Sequence, residues 1–405
     1  MSAPAQPTGF RAGLAIMALA FALSQSFRTL PSVMVADLSA DLGIGASDVG
    51  LLAAVFHISF AVLQLPIGVL LDRFGVREVM LAAYTLAIAG TVISVLAPSF
   101  PVLLAGQLLI GTGTAPTLMA ALVYISHRTQ PAQFARYSGI LMSVGSLGIL
   151  ATSTPFALLI EASSWRMAFL AHLPPLVLCL ALTLPLIGRA TPRPARASDS
   201  LWQDFRLLAR LPYRRLAGLF AIGLVAYGAI LAFRGVWIVP FVQQRYGLGL
   251  VGASYLALML SVAMAVTPAL TGGLATTQRA ITRLIVIASV ILALALAALA
   301  FQPVDGLAAG IVLILAVGLV SASPIVQFAY IRRAVPAELT GRALALLNMV
   351  MFVGVALLQW LSGSLAGIAS DAGGDPFRPA VGVLALAVVL GLAAFVALPK
   401  ARDAA

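Results

Sequence analysis

The chain has 405 residues, 61% of them hydrophobic and only 9% charged, with a mean hydropathy of +1.07. Soluble domains carry about 25% charged residues, so a cytosolic enzyme or binding module is excluded and a polytopic helical membrane protein is implied. The net charge of +11 suggests a nucleic-acid partner until the charges are placed. Basic residues gather at the termini and on alternate connections: Arg11, Arg73, Arg77, Arg128, Arg136, the arginines from Arg189 to Arg215, Arg279, Arg283, Arg332, Arg333, Arg342, Lys400 and Arg402. The other connections hold Arg166, Arg245 and Arg378 beside Asp37, Asp41, Asp48, Glu161, Asp305, Asp371 and Asp375. This positive-inside pattern places both termini and the central connection in the cytoplasm, and no nucleic acid is expected. The single Cys179 lies in an apolar run, which leaves neither a disulfide framework nor a cysteine-based metal site.

Apolar runs of about 20 residues, the length that crosses ~30 Å of hydrocarbon, alternate with turn signals along the chain. They predict helices over 12–36, 47–70, 77–97, 101–126, 134–160 and 166–188, then over 214–241, 249–271, 281–301, 306–331, 340–368 and 376–399. The fold class is therefore an all-α membrane protein of twelve transmembrane helices, with a six-helix bundle over 1–188, a linker over 189–213 and a second bundle over 214–405. Within the linker, the segment from Trp202 to Leu211 reads as a short amphipathic helix on the cytoplasmic face. The opening run follows Arg11 as the core of a secretory leader would. It continues through Arg28 to Val35, however, and its counterpart recurs mid-chain, so it is the first membrane helix.

The two halves repeat. Helix 1 reads AIMALAFALSQSFR from Ala15 to Arg28, and helix 7 reads AIGLVAYGAILAFR from Ala221 to Arg234, 206 residues later. Ala115-Pro116 in helix 4 matches Ser323-Pro324 in helix 10; Pro131-Ala132-Gln133 ahead of helix 5 matches Pro336-Ala337-Glu338 ahead of helix 11. Six-helix halves in parallel repeat, with a site between them at the bilayer midplane, are a transporter architecture. Helices 3, 6, 9 and 12 are nearly all aliphatic and face lipid as scaffold. Helices 1, 7, 10 and 11 carry Ser24, Gln25, Arg28, Tyr227, Arg234, Trp237, Gln327, Tyr330, Asn348 and Gln359 and enclose the path.

A charge at membrane depth costs at least ~2.5 kcal/mol, so it faces a cavity or a partner. Arg28 and Arg234, related by the repeat, predict one site between the halves for something negative, because a guanidinium fork matches phosphate or carboxylate. Helical spacing sets Ser24 and Gln25 below Arg28, and Tyr227 with Trp237 near Arg234; Tyr330 and Asn348 complete the expected lining. The alternative is that either arginine snorkels to an interface or caps a helix. His57 in helix 2 lies within reach of the cavity and titrates in a range that suits proton coupling, or else it is a packing histidine. His127 is expected to be a solvated cap, and His172 to meet a neighbouring helix or backbone. All 13 acidic residues fall at helix ends or in loops, so coupling falls to the substrate's own charge, to His57 or to a counter-anion.

Between helices 2 and 3 stands GVLLDRFGVR, Gly68 to Arg77. It resembles the signature loop of the major facilitator superfamily, Gly-x-x-x-Asp-Arg-x-Gly-x-Arg, and the helix count, repeat and linker extend the resemblance over the whole chain. The resemblance implies that the loop clips the halves together when the transporter faces outward. Asp72 would then sit at the N-terminus of helix 11, with Arg73 and Arg77 paired locally and Gly68 and Gly75 allowing close backbone approach. The second-half counterpart, GGLATTQRAITR, lacks the acidic residue; Gln107 stands where the family's helix 4 has arginine; and Pro155 lacks the preceding glycine of drug–proton antiporters. The paired arginines resemble those of the organophosphate–phosphate antiporter branch. The expectation is a monomeric secondary transporter in the inner membrane, moving a small carboxylate- or phosphate-bearing anion by alternating access with protons or a counter-anion, without catalytic residue, cofactor or metal. A proton-coupled exporter of amphipathic compounds and a non-transporting receptor or scaffold stay open as alternatives.

Overall fold

The structure, a computed structural model, describes residues 9–188, 211–272, 277–301 and 306–399. Twelve helices are long and apolar enough to cross a membrane, as the hydropathy pattern predicts. They are α1 (Phe10–Thr29), α2 (Ala46–Leu63), α3 (Pro66–Leu96), α4 (Phe100–Ser126), α5 (Arg136–Ala162), α6 (Trp165–Leu186), α7 (Tyr213–Tyr246), α8 (Leu250–Thr267), α9 (Gln278–Phe301), α10 (Leu307–Ala334), α11 (Leu339–Asp371) and α12 (Phe377–Ala397). The expected amphipathic helix from Trp202 and nearly all of the expected linker lie outside the described residues.

Several boundaries depart from the sequence expectation, each for a local reason. The first crossing continues past Leu30 as Pro31–Leu42. Pro31 cannot return a hydrogen bond to the preceding turn, yet its fixed φ suits the first position of a new helix. The second crossing runs on through Pro66 to Phe74, and the chain reverses at Gly75, whose φ of 84° and ψ of 164° are left to glycine. α5 unwinds at Thr152–Ser153, just before Pro155. In α7 the segment Phe233–Trp237 widens into a π turn.

Within each half the packing repeats as the sequence does. A Cβ on Gly148 of α5 would overlap the carbonyl of Ala22 in α1, and one on Gly354 of α11 would overlap the carbonyl of Leu224 in α7. Small residues at such crossings let backbones approach where no hydrophobic effect drives helix association. The outer surface of the bundle is apolar, with Leu294, Val312 and Leu390 exposed.

With an even number of crossings both termini lie on one face, here the terminal face; the opposite is the distal face. The halves meet most extensively where α2 runs along α11. Near the distal face Gly50 and Gly363 bring those backbones together, a Cβ on Gly363 lying 2.7 Å from Gly50 Cα. Between α5 and α8, Ser254 Oγ and Thr154 Oγ1 share a hydrogen bond at 3.2 Å. The continuation Pro31–Leu42 packs against the π turn and last turns of α7. Towards the terminal face the cross-half contact reaches Asn348 of α11, which donates to Gln64 Oε1 at 2.8 Å. Beyond it, Pro66–Phe74 does not pack along α11, nor α4 along α10. The molecule is closed distally and parted towards its termini.

Candidate functional site

Arg28 and Arg234 occupy equivalent places on the two sides of the half–half interface, with different surroundings. Arg28 sits one turn before the break at Pro31 and is 7% exposed. Its guanidinium carbon lies 4.4 Å from the ring centre of Phe60 in α2 and 4.9 Å from that of Phe352 in α11. Nη2 donates to Ser24 Oγ over a long 3.5 Å, and the phenol of Tyr227 from α7 interacts across the interface. Nε–H has no acceptor. The cation is thus caged mostly by aromatic faces, which attract it without supplying full hydrogen bonds.

Arg234 is fully buried and engaged on three sides. Nε donates to Ser261 Oγ of α8 at 2.7 Å, Nη1 to Ser32 Oγ beyond the α1 break at 3.2 Å, and Nη2 to Ser153 Oγ at 2.9 Å and the Ile149 carbonyl at 3.1 Å. Helix breaks create the acceptors at Ser32 and at Ile149 and Ser153, while Ser261 stands within unbroken α8. Ser153 N–H bonds to Leu150 rather than to Ile149, which frees the Ile149 carbonyl for Arg234. Ser32 and Ser261 donate their own protons to Thr29 O and Ala257 O, which leaves oxygen lone pairs for the guanidinium. Each arginine therefore touches one helix of its own half and two of the other: α2 with α7 and α11 for Arg28, α8 with α1 and α5 for Arg234. Among the described residues neither is ion-paired; the Arg166–Asp41 bridge joins the distal ends of α6 and the first crossing.

A cluster of unsatisfied polar atoms adjoins Arg28. His57 is 1% exposed, its ring stacked at 6.2 Å on Phe352 across the interface. Its Nδ1 lies 3.0 Å from the carbonyl of Ala53, an acceptor only, so Nδ1 carries the proton and neutral Nε2 is an acceptor. That Nε2 has no partner. The carboxamide of Gln359 lies within hydrogen-bonding reach of His57, but neither its oxygen nor its nitrogen meets a partner in good geometry. Gln25 Oε1 is also orphaned. Buried polar atoms are nearly always satisfied, and such exceptions mark where water or a ligand belongs.

The structure brings Ser24, Gln25, Arg28, His57 and Tyr227 together and separates the other expected lining residues from them. Tyr227, expected near Arg234, serves Arg28 instead, because it lies two turns earlier on α7 and faces the opposite half. Trp237 is held by α11, its Nε1 donating to Ser362 Oγ at 2.8 Å. Tyr330 packs edge-on to Phe395 at 6.1 Å inside the second bundle, because its face of α10 turns to α12, away from the interface. Asn348 does stand at the interface, as the α2–α11 bridge. His172 meets helix 1 as expected, within 2.8 Å of Ser26 Oγ and stacked on Phe27. His127 is exposed at the end of α4. Phe60, Phe352 and the serine shell of Arg234 escape sequence reasoning. Only Ser32, beside Pro31, and Ser153, two residues before Pro155, carry a signal: a small polar residue next to a helix-breaking proline.

In the signature loop, Gly75 makes the reversal, and a Cβ on Gly68 would meet nothing within 4 Å. Asp72 is exposed but engaged by a neighbour. Arg73 stacks on Phe74 at 5.2 Å, and Nε of Arg77 is buried without a partner.

Several known proteins share features of this chain. The methylenomycin A resistance protein of Bacillus subtilis (strain 168) is 23% identical over 248 residues, 58% of this chain and 47% of that protein. The multidrug resistance protein Stp of Mycobacterium tuberculosis (strain CDC 1551 / Oshkosh) is 28% identical over 169 residues, 42% and 32% of the two chains. The chain spans about half or less of the length of these relatives. Two solved structures share the fold: the nucleoside transporter NupG (TM-score 0.75, 16% identity, 96% of this chain and 98% of that one) and a D-xylose-proton symporter (0.70, 16%, 93% and 96%). Residues 16–358 match the profile of the Major Facilitator Superfamily, and with twelve crossings in two repeated halves the chain belongs to that superfamily.

Proposed function

We propose that this protein is a secondary transporter of a small organic anion, carboxylate- or phosphate-bearing, working by alternating access in a cell inner membrane with its terminal face cytoplasmic. One observation carries the reading: two guanidinium groups are buried at the half–half interface with no carboxylate beside either among the described residues. Burying an uncompensated cation costs several kcal/mol, and an anionic ligand in the same low-dielectric place offsets that cost. Arg28, with an idle N–H and mostly aromatic faces around it, is the direct ligand. Arg234, whose donors are held by the protein in this conformation, contributes positive field from the other half. Binding of the anion favours whichever conformation encloses it, by as much as its affinity differs between the two. The working unit is a monomer in lipid, and protons or a counter-anion supply the driving force.

Uptake of radiolabelled organic anions into liposomes tests this. Arg28→Ala is expected to abolish uptake and Arg234→Ala to reduce it at least tenfold; wild-type rates in both defeat the assignment. A second reading, proton-coupled export of amphipathic compounds, draws on the aromatic walls formed by Phe60, Phe352 and Tyr227 and on the resistance proteins among the relatives. It requires stabilisation of the purified protein by uncharged or cationic amphiphiles rather than by anions. No observation favours a non-transporting receptor or scaffold, which would respond to neither.

A further inference from the structure

Building on the organic-anion reading, we infer that the cargo also carries a hydroxyl donor and a flat apolar body: a hydroxylated aromatic carboxylate. The inference comes from what the site around Arg28 leaves unsatisfied. On the donor side stand Arg28 Nε–H and the Gln359 amide nitrogen; on the acceptor side stand His57 Nε2 and the Gln359 amide oxygen. All three side chains are more than nine-tenths buried.

A bare carboxylate or a fully ionised phosphate only accepts hydrogen bonds. It would satisfy Arg28 and the Gln359 nitrogen and press its negative charge against the lone pairs of His57 and the Gln359 oxygen. A ligand with both an anionic acceptor and an O–H satisfies the whole set. Nδ1–H of His57 is committed to the Ala53 carbonyl 3.0 Å away, so in the neutral ring, the form that suits a buried place beside the Arg28 cation, Nε2 is the acceptor. The walls select the rest of the molecule. The rings of Phe60 and Phe352 touch at a tilt, their centres 4.5 Å apart, and together form one aromatic surface; Tyr227 meets Phe352 edge-on at 5.8 Å. The arginine cation lies on these two phenylalanine faces, and a flat ring stacks on the same faces once the guanidinium turns to the carboxylate.

Simple aromatic and aliphatic acids serve as probes. Equilibrium binding to the purified full-length protein is measured for benzoate, the three hydroxybenzoate isomers, phenol and lactate. At least one hydroxybenzoate isomer is expected to bind five- to tenfold more tightly than benzoate, the range that one or two neutral hydrogen bonds supply. Phenol and lactate should each bind more weakly than that isomer by a factor of ten or more. His57→Phe, which keeps the ring stack and removes the acceptor, brings the hydroxybenzoate-to-benzoate ratio to near one, and Gln359→Leu lowers it several-fold. A wild-type ratio below two overturns the inference, as does a ratio that survives both substitutions, or lactate binding as tightly as any hydroxybenzoate. If benzoate and lactate bind without discrimination, only this inference falls. If no carboxylate binds while phenol does, the organic-anion reading falls with it.

Discussion

Arg234→Lys separates hydrogen bonding from charge at the distal closure. The positive charge stays, and an ammonium is at least as costly to bury as a guanidinium because it is more strongly hydrated. What disappears is the fork. Arg234 reaches Ser261 from Nε, Ser32 from Nη1, and Ser153 and Ile149 from Nη2, on three sides of one plane. A single ammonium at the end of a flexible stem reaches about half of these acceptors. Hydrogen bonds to a charged group contribute about 1.5–3 kcal/mol each. Part of that is recovered from water when the distal side opens, so losing two bonds destabilises the closed state by about 3 kcal/mol. This shifts the conformational equilibrium roughly a hundredfold, and a distal-open state populated at about 1% would rise to about half.

Ser254 reports on that opening. It is fully buried on α8 and bonded across the halves to Thr154. With the native thiol removed by Cys179→Ser, the Ser254→Cys protein is labelled by a hydrophilic maleimide at a rate set by distal opening. Arg234→Lys is expected to raise that rate by one to two orders of magnitude, while Arg28→Lys, whose ring contacts accept either cation, changes it by a few-fold at most. Unchanged labelling with Arg234→Lys refutes the idea that this network holds the distal side shut.

Three further outcomes are expected. Gly363→Leu places a side chain where α2 and α11 touch, so it should prevent distal closure, raise labelling at the same thiol and stop transport while the protein stays folded; size-exclusion profiles with labelling rates check this. Gly148→Val and Gly354→Val each drive a side chain into a carbonyl of the neighbouring helix in their own half, and should lower thermal stability by several degrees or prevent expression, a strain no repacking relieves. The Arg166 guanidinium and then the Trp165 N–H hold the Asp41 carboxyl below its ordinary range. Because its folded value lies below its unfolded value, its stabilisation is complete above about pH 4 and disappears as pH falls through the depressed value. The melting-temperature gap between wild type and Asp41→Asn should therefore close in that acidic window, and a gap independent of pH refutes the assignment.

Twelve crossings are legible in the order of amino acids alone, because each must bury its backbone polar groups within one helix and cover them with a long apolar run. The doubling is legible too, since the Phe-Arg endings of helices 1 and 7 and the paired proline sites survive in both halves. So is the presence of two cations at membrane depth, which no apolar run can hide. What each cation does emerges only from the packed helices. Arg28 and Arg234 stand at the same position of the repeat, yet one meets phenylalanine rings and the other a shell of serines. Those partners come from helices distant in sequence, and the repeat does not preserve them. The same holds for Tyr227, which helical spacing assigns to the nearer arginine and the packing of α7 against α1 gives to the farther one. Whether the unsatisfied atoms of His57 and Gln359 share one place depends on α2 lying along α11, a contact set where Gly50 meets Gly363, which no local pattern announces.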